Sequence, residues 1–302
     1  MRLLIMITCL VVTISHQAAG NRLIEAIMRS DFIFDRNLSN VPFIPLAYLN
    51  YNQQHDLKIS DGCVETNCDF DYQSITHGLA LPVWVGEKNM FLLGETLESR
   101  TIERNTNSIN VDSGGVLAAW VSQPSEKWQA GAFVYSYRGI GDDELAREPR
   151  GNISGAVARY RHSSNFHSYW GLIHLEDNNN ETIYPYIGFD WYIGDKWSVS
   201  GLIPWPTVQY APTKDVLYKF GALYSGAEWA VSNNGEVLTN DFEKWDFGFA
   251  YEHRLWNYIW GEIAVGYSGL GKFSISSGTN IEFDTEIESA PFIKLALNIR
   301  FE

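Results

Sequence analysis

The sequence predicts an all-β fold, an antiparallel up-and-down transmembrane β-barrel, and three observations predict it. Strand-length segments alternate apolar and polar residues. Short turns alternate with longer polar connections. After the first twenty residues no apolar run reaches the roughly 20 residues a helix needs to cross a bilayer. A chain that spans without such a helix must close a sheet on itself, because every backbone donor and acceptor in hydrocarbon needs an internal partner.

Alternation is clearest in three places. In 183–193, Ile183, Pro185, Ile187, Phe189, Trp191 and Ile193 occupy one face, with Tyr184, Tyr186, Gly188, Asp190 and Tyr192 on the other. In 242–254, Trp245, Phe247, Phe249 and Tyr251 oppose Lys244, Asp246, Gly248, Glu252 and Arg254. At the end of the chain Ile293, Leu295, Leu297, Ile299 and Phe301 oppose Lys294, Ala296, Asn298 and Arg300. A soluble sandwich hides such an apolar face against a second sheet, whereas a membrane barrel turns it to lipid and keeps the charges inside. Periodicity alone does not separate the two.

Turns favour the barrel. Short connections fall at Gly86–Asn89, Pro124–Lys127, Ser163–Phe166, Gly194–Lys196 and Leu255–Asn257. Longer polar loops are expected near 56–71, 103–109, 139–150, 177–181, 233–240 and 276–284. Trp84, Trp120, Trp128, Trp191, Trp197, Trp256 and Trp260 cluster beside the short turns, as an aromatic girdle at one membrane interface requires. Aromatics make up 14% of the chain, with 11 Trp and 16 Tyr, and charged residues only 19%. A formal charge of -14 without a basic cluster argues against a nucleic-acid partner.

Counting strands is harder. A plain count gives thirteen, yet both ends of a single-chain barrel lie on one side, which requires an even number. The difficulty is 197–232, where Pro204, Pro206 and Pro212 interrupt the pattern and Ser225–Gly226 could form an extra hairpin. With that hairpin the barrel has 14 strands; with an irregular excursion instead it has 12.

Residues 1–20 read as a signal peptide, with Arg2, an apolar run from Leu3 to Ile14 and a small-residue site at Ala18–Gly20. Residues 21–42 form a pre-barrel segment, with Leu23, Ala26 and Ile27 at helical spacing, read as a tail in preference to a lumenal plug. The barrel occupies 43–302. Beyond Cys9 the cysteines are Cys63 and Cys68, for which an oxidising compartment favours a disulfide over a metal site. An exported chain that spans as a barrel is expected in the outer membrane of a Gram-negative bacterium.

The stretch Tyr184–Tyr192, the turn Gly194–Trp197, then Leu202–Pro206 and Gln209–Tyr210 resembles an uncharacterised domain-of-unknown-function family of bacterial outer-membrane β-barrel proteins, from about residue 43 onward. The resemblance implies a fold and a location but no activity. The last strand resembles the signal by which the barrel-assembly machinery recognises such proteins, with Leu295, Leu297, Ile299 and Phe301 alternating; Glu302 departs from the pattern, since the aromatic is usually last.

No catalytic role is expected. His174 near Glu176 and Asp177, and His162 beside Ser163, lack any nucleophile motif, and no cofactor or metal pattern occurs. Gly114, Gly115, Gly131, Gly155, Gly188 and Gly248 suit strand interiors. The candidate lumen lining is Asp190, Lys244, Asp246, Glu252, Arg254, Glu262, Lys294 and Arg300. These expectations describe a barrel in contact with outer-membrane lipid, with a narrow or gated pore for small solutes as the leading role. A structural or surface-interaction barrel and a soluble exported β-sandwich are the alternatives.

Overall fold

The computed structural model describes residues 39–42, 45–58, 69–104, 107–141, 150–176, 181–202, 205–233, 236–277 and 280–300. The signal peptide, the pre-barrel segment up to residue 38, Cys63, Cys68, Phe301 and Glu302 lie outside the described residues.

Fifteen strands form one sheet: β1 Ala47–Lys58, β2 Asp69–Val85, β3 Asn89–Arg104, β4 Asn107–Ser125, β5 Trp128–Gly141, β6 Arg150–Ser163, β7 Phe166–Glu176, β8 Glu181–Ile193, β9 Trp197–Leu202, β10 Trp205–Thr213, β11 Val216–Asn233, β12 Glu236–Trp256, β13 Ile259–Ser277, β14 Asn280–Ile287 and β15 Ala290–Ile299. Each strand from β1 to β13 pairs antiparallel with its sequence neighbours, and β15 closes the ring onto β1 through rungs from Ala47↔Ile299 to Gln54↔Phe292. Both β14 and β15 lie against β13, β14 beside Gly271–Ser277 and β15 beside Ile259–Ser268. They share one place in the wall, so the closed barrel has fourteen positions.

Fourteen is one of the two expected counts, but the reason differs. Ser225 and Gly226 lie inside β11 and pair with Lys244 and Glu243. The extra hairpin is β9–β10, whose tip falls between Leu202 and Trp205. Pro204 lies outside the described residues, and Pro206 and Pro212 belong to β10. A second expectation also changes. Only two residues separate β3 from β4, β11 from β12 and β13 from β14, because the polar stretches near 103–109, 233–240 and 276–284 continue the strands. Backbone pairing continues through these polar stretches.

Burial decides which way the faces point. Ile183, Ile187, Trp191, Phe247, Phe249, Ile293, Leu295 and Leu297 are exposed. Lys244, Asp246, Glu252, Glu262, Asn298 and Arg300, on the opposite faces, are buried. A single closed sheet with its oily residues outside and its charges inside reverses the soluble arrangement, and the sandwich alternative is gone. Trp84, Trp120, Trp128, Trp191, Trp197 and Trp256 all remain exposed near the short-turn end. Stacks of Trp128 with Tyr160 and of Trp197 with Tyr210 extend the belt. Trp260 corrects the expectation: it is 0% exposed and faces inward, because it pairs with inward-facing Arg254 and shares the face of Glu262 and Ala264.

Candidate functional site: the barrel interior

Cross-strand neighbours share a face, so alternation on β11, β12, β13 and β15 brings charges from four strands to one inner surface. Lys219 reaches Glu252 at 2.5 Å and Glu262 at 2.9 Å. Lys294 reaches the other oxygen of Glu262 at 3.3 Å, and Arg300 holds both oxygens of Glu252 at 2.9 and 2.8 Å. Asn298 donates to Glu262 at 3.2 Å. Shared carboxylates of this kind repay part of the desolvation cost that isolated buried charges incur.

Two smaller groups flank the network. Lys244 pairs with Asp246 at 2.5 Å, Ser268 donates to the same carboxylate oxygen at 2.5 Å, and Tyr72 presents its ring face to the ammonium at 5.8 Å. Arg254 pairs with Asp215 at 3.1 Å and donates to the Lys214 carbonyl at 3.0 Å. Arg254 and Arg300 both lie over the Trp260 ring, at 5.3 and 6.0 Å.

Thus Lys244, Asp246, Glu252, Arg254, Glu262, Lys294 and Arg300 gather on one wall. Asp190 does not join them. It sits on β8, where Tyr169 donates to it, and Arg159 lies 5.9 Å from the Tyr169 ring. Sequence reasoning did not single out Lys219, Asn298 and Ser268. Lys219 was legible through the Leu217–Lys219 alternation, but the prolines before it hid the strand.

Apolar residues complete the filling. Near the loop end Leu57, Phe70, Tyr72, Val111, Phe242, Ile287 and Ala290, from β1, β2, β4, β12, β14 and β15, form a buried cluster. Near the short-turn end Val41 is buried with Ala211, Leu217 and Trp260. The Asn40 N–H donates to the Asp195 carbonyl at 2.7 Å, and the Asn40 side-chain amide donates to the Ala211 carbonyl at 3.3 Å. Leu46 is already in the wall: its N–H donates to Ile299 at 2.9 Å and its carbonyl accepts from Ala80 at 2.8 Å. The β8–β9 turn holding Asp195 lies about halfway round the ring from β1. Six residue steps from Asn40 to Leu46 span at most about 20 Å. Residues 39–42 therefore form a strap at the short-turn mouth, held against the β8–β9 turn, β10, β11 and β13.

His174 pairs with Glu181 at 3.0 Å, and His162 bonds Ser168 at 2.7 Å. Among the described residues no group of three or more His, Cys, Asp or Glu is placed to hold a metal.

No protein-family model matches the chain, and no curated protein matches it. Solved structures similar in shape include a Pseudomonas aeruginosa FadL homologue, at 10% identity and TM-score 0.48, covering 85% of this chain and 90% of that one. The translocator domain of the autotransporter NalP from Neisseria meningitidis is similar at 12% identity and TM-score 0.35, covering 96% and 97%. Outer membrane phospholipase A from Escherichia coli is similar at 11% identity and TM-score 0.36, covering 93% and 96%. The barrel assignment rests on this chain's own closed strand pairing.

Proposed function

We propose that the protein is an outer-membrane conduit for small solutes, held closed at rest by its own side chains and by residues 39–42. One observation carries the reading: the inside of the barrel is filled unevenly. An eight-strand barrel is just filled by side chains, and fourteen positions enclose more space. The charge network and the apolar cluster occupy the wall from β11 through β15 to β4. On β5–β8, Gln129, Tyr137, Arg159, Tyr169 and Asp190 remain partly exposed, as side chains beside a hydrated path are. The strap lies at the short-turn end of that path.

The exposed apolar face suits outer-membrane lipid, and the alternating β15 suits delivery by the barrel-assembly machinery. No catalytic step is assigned, because the histidines noted above serve neighbouring polar groups.

Conductance in planar bilayers tests the proposal. The native protein should show rare, small openings, and Val41→Asp, which places a charge against Leu217 and Trp260, should show long-lived ones. Silence of both proteins across the voltage range, with folding confirmed by heat-modifiable migration, would overturn it in favour of a barrel without transport.

A further inference from the structure

The β9–β10 hairpin is too short to carry the wall across a membrane. β9 has 6 residues and β10 has 9, between β8 with 13 and β11 with 18. At about 3.3 Å per residue and a tilt near 40°, a six-residue strand climbs about 15 Å, against an apolar band of about 25 Å. Trp191 and Trp197 place the base of the hairpin in the aromatic belt, so its last described rung, Leu202↔Trp205, lies at the depth of the hydrocarbon.

The ladders stop accordingly. Pairing of β8 with β9 runs from Ile193↔Trp197 to Asp190↔Ser200, and pairing of β10 with β11 ends at Thr207↔Gly221. Above these rungs, among the described residues, Glu181–Phe189 of β8 and Ala222–Asn233 of β11 flank a slot with no strand between them. Open strand edges at membrane depth need either protein cover or a water-filled cavity beside them; no described strand covers these, and a slot continuous with the lumen would supply the water. Pro185, within the β8 flank, has no N–H to satisfy.

Described side chains at the lower end of the slot include apolar ones on both surfaces. Ile183 and Ile187 on β8 and Phe220 on β11 are exposed outward. Leu223, paired with inward-facing Asp246, is 44% exposed although it faces the lumen. On the opposite wall, seven positions away, Leu117 of β4 faces inward at a similar height and is only partly exposed.

We propose that this slot is a lateral portal, through which an amphiphile with a single acyl chain exchanges between the bilayer and the lumen. The tail lies against Ile187, Phe220 and Leu223, and the polar head meets the hydrated strand edges. The portal requires no conduction between the two ends of the barrel, so it stands or falls separately from the conduit.

Bromine quenching tests it. Leu223→Cys and Leu117→Cys are labelled with a small fluorophore in full-length protein whose own cysteines are replaced by serine, and Ile187→Cys serves as the lipid-facing control. One arm uses phospholipid brominated in mid-chain; the other adds a brominated fatty acid to unbrominated bilayers. The label at 223 should lose about half its fluorescence or more, approaching the label at 187, while the label at 117 is nearly unaffected. Quenching in the first arm identifies bilayer lipid as the source, and quenching confined to the second identifies a free amphiphile. Equal quenching at 223 and 117, or none at 223 in either arm, overturns the portal. Should Leu223→Cys fail to fold, Tyr186→Cys on the other flank reports the same exchange.

Discussion

Arg300 grips both carboxylate oxygens of Glu252, at 2.9 and 2.8 Å, and so ties the last described residue of the chain to the short-turn end of β12. Glu252 is 0% exposed and Arg300 6%. Removing Arg300 leaves the buried Glu252 carboxylate with Lys219 as its remaining cation and one side unsatisfied, which costs about 1–3 kcal/mol. Arg300→Ala should therefore lower the temperature at which the folded band shifts on a detergent gel. Replacing Arg300 and Glu252 together by Met and Gln should recover most of the loss. An Arg300→Ala protein as heat-resistant as the native one would show the pair to be dispensable.

Tyr48 lies across Gly78, its β1–β2 partner, so closely that a Cβ at position 78 would meet the phenol ring at 2.4 Å. All three nearest atoms belong to that ring. Gly78→Val should destabilise the barrel by about 1–3 kcal/mol through overpacking. Tyr48→Ala should relieve most of that cost in the double variant, giving a non-additive cycle in urea unfolding from detergent micelles.

The strap makes a reversible lock available. Val41→Cys with Leu217→Cys joins two members of one buried cluster. In otherwise cysteine-free protein the oxidised form should be silent in bilayers, and reduction should restore the openings of the native barrel. Equal activity in both redox states would place the closing element elsewhere.

Leu270 has φ 50°, a left-handed conformation that costs a β-carbon-bearing residue about 1–2 kcal/mol. It sits in β13 opposite the gap between Ile287 and Ala290, where β14 gives way to β15. Leu270→Gly should raise thermal stability by up to about 1 kcal/mol, and Leu270→Val should lower it. The reverse order in a heat-shift series would show that Leu270 earns its place through contacts with lipid.

Much of this was legible in the residues. Ile293, Leu295 and Leu297 against Lys294, Ala296 and Asn298 specify both a strand and its two faces, because side chains in a strand alternate with period two. Seven of the eight candidate lumen residues meet on one wall for the same reason. The miss at Trp260 came from grouping it with the belt by its nearness to the turn, although plain alternation puts it on the inward face of Glu262, opposite Arg254. The misplaced hairpin came from reading prolines as interruptions, when Pro206 and Pro212 sit in a strand short enough to accept them.

The chain itself determined strand periodicity, the identity of the lipid-facing side chains and the export of charge to the other face, all local consequences of backbone geometry. Folding in three dimensions decided which charges share a carboxylate, that Val41 at the mouth is buried with Trp260, and that the wall drops at β9–β10. Those depend on which strands become neighbours when the ring closes and on where each ladder ends. Closure is a property of the whole sheet, and no single segment encodes it.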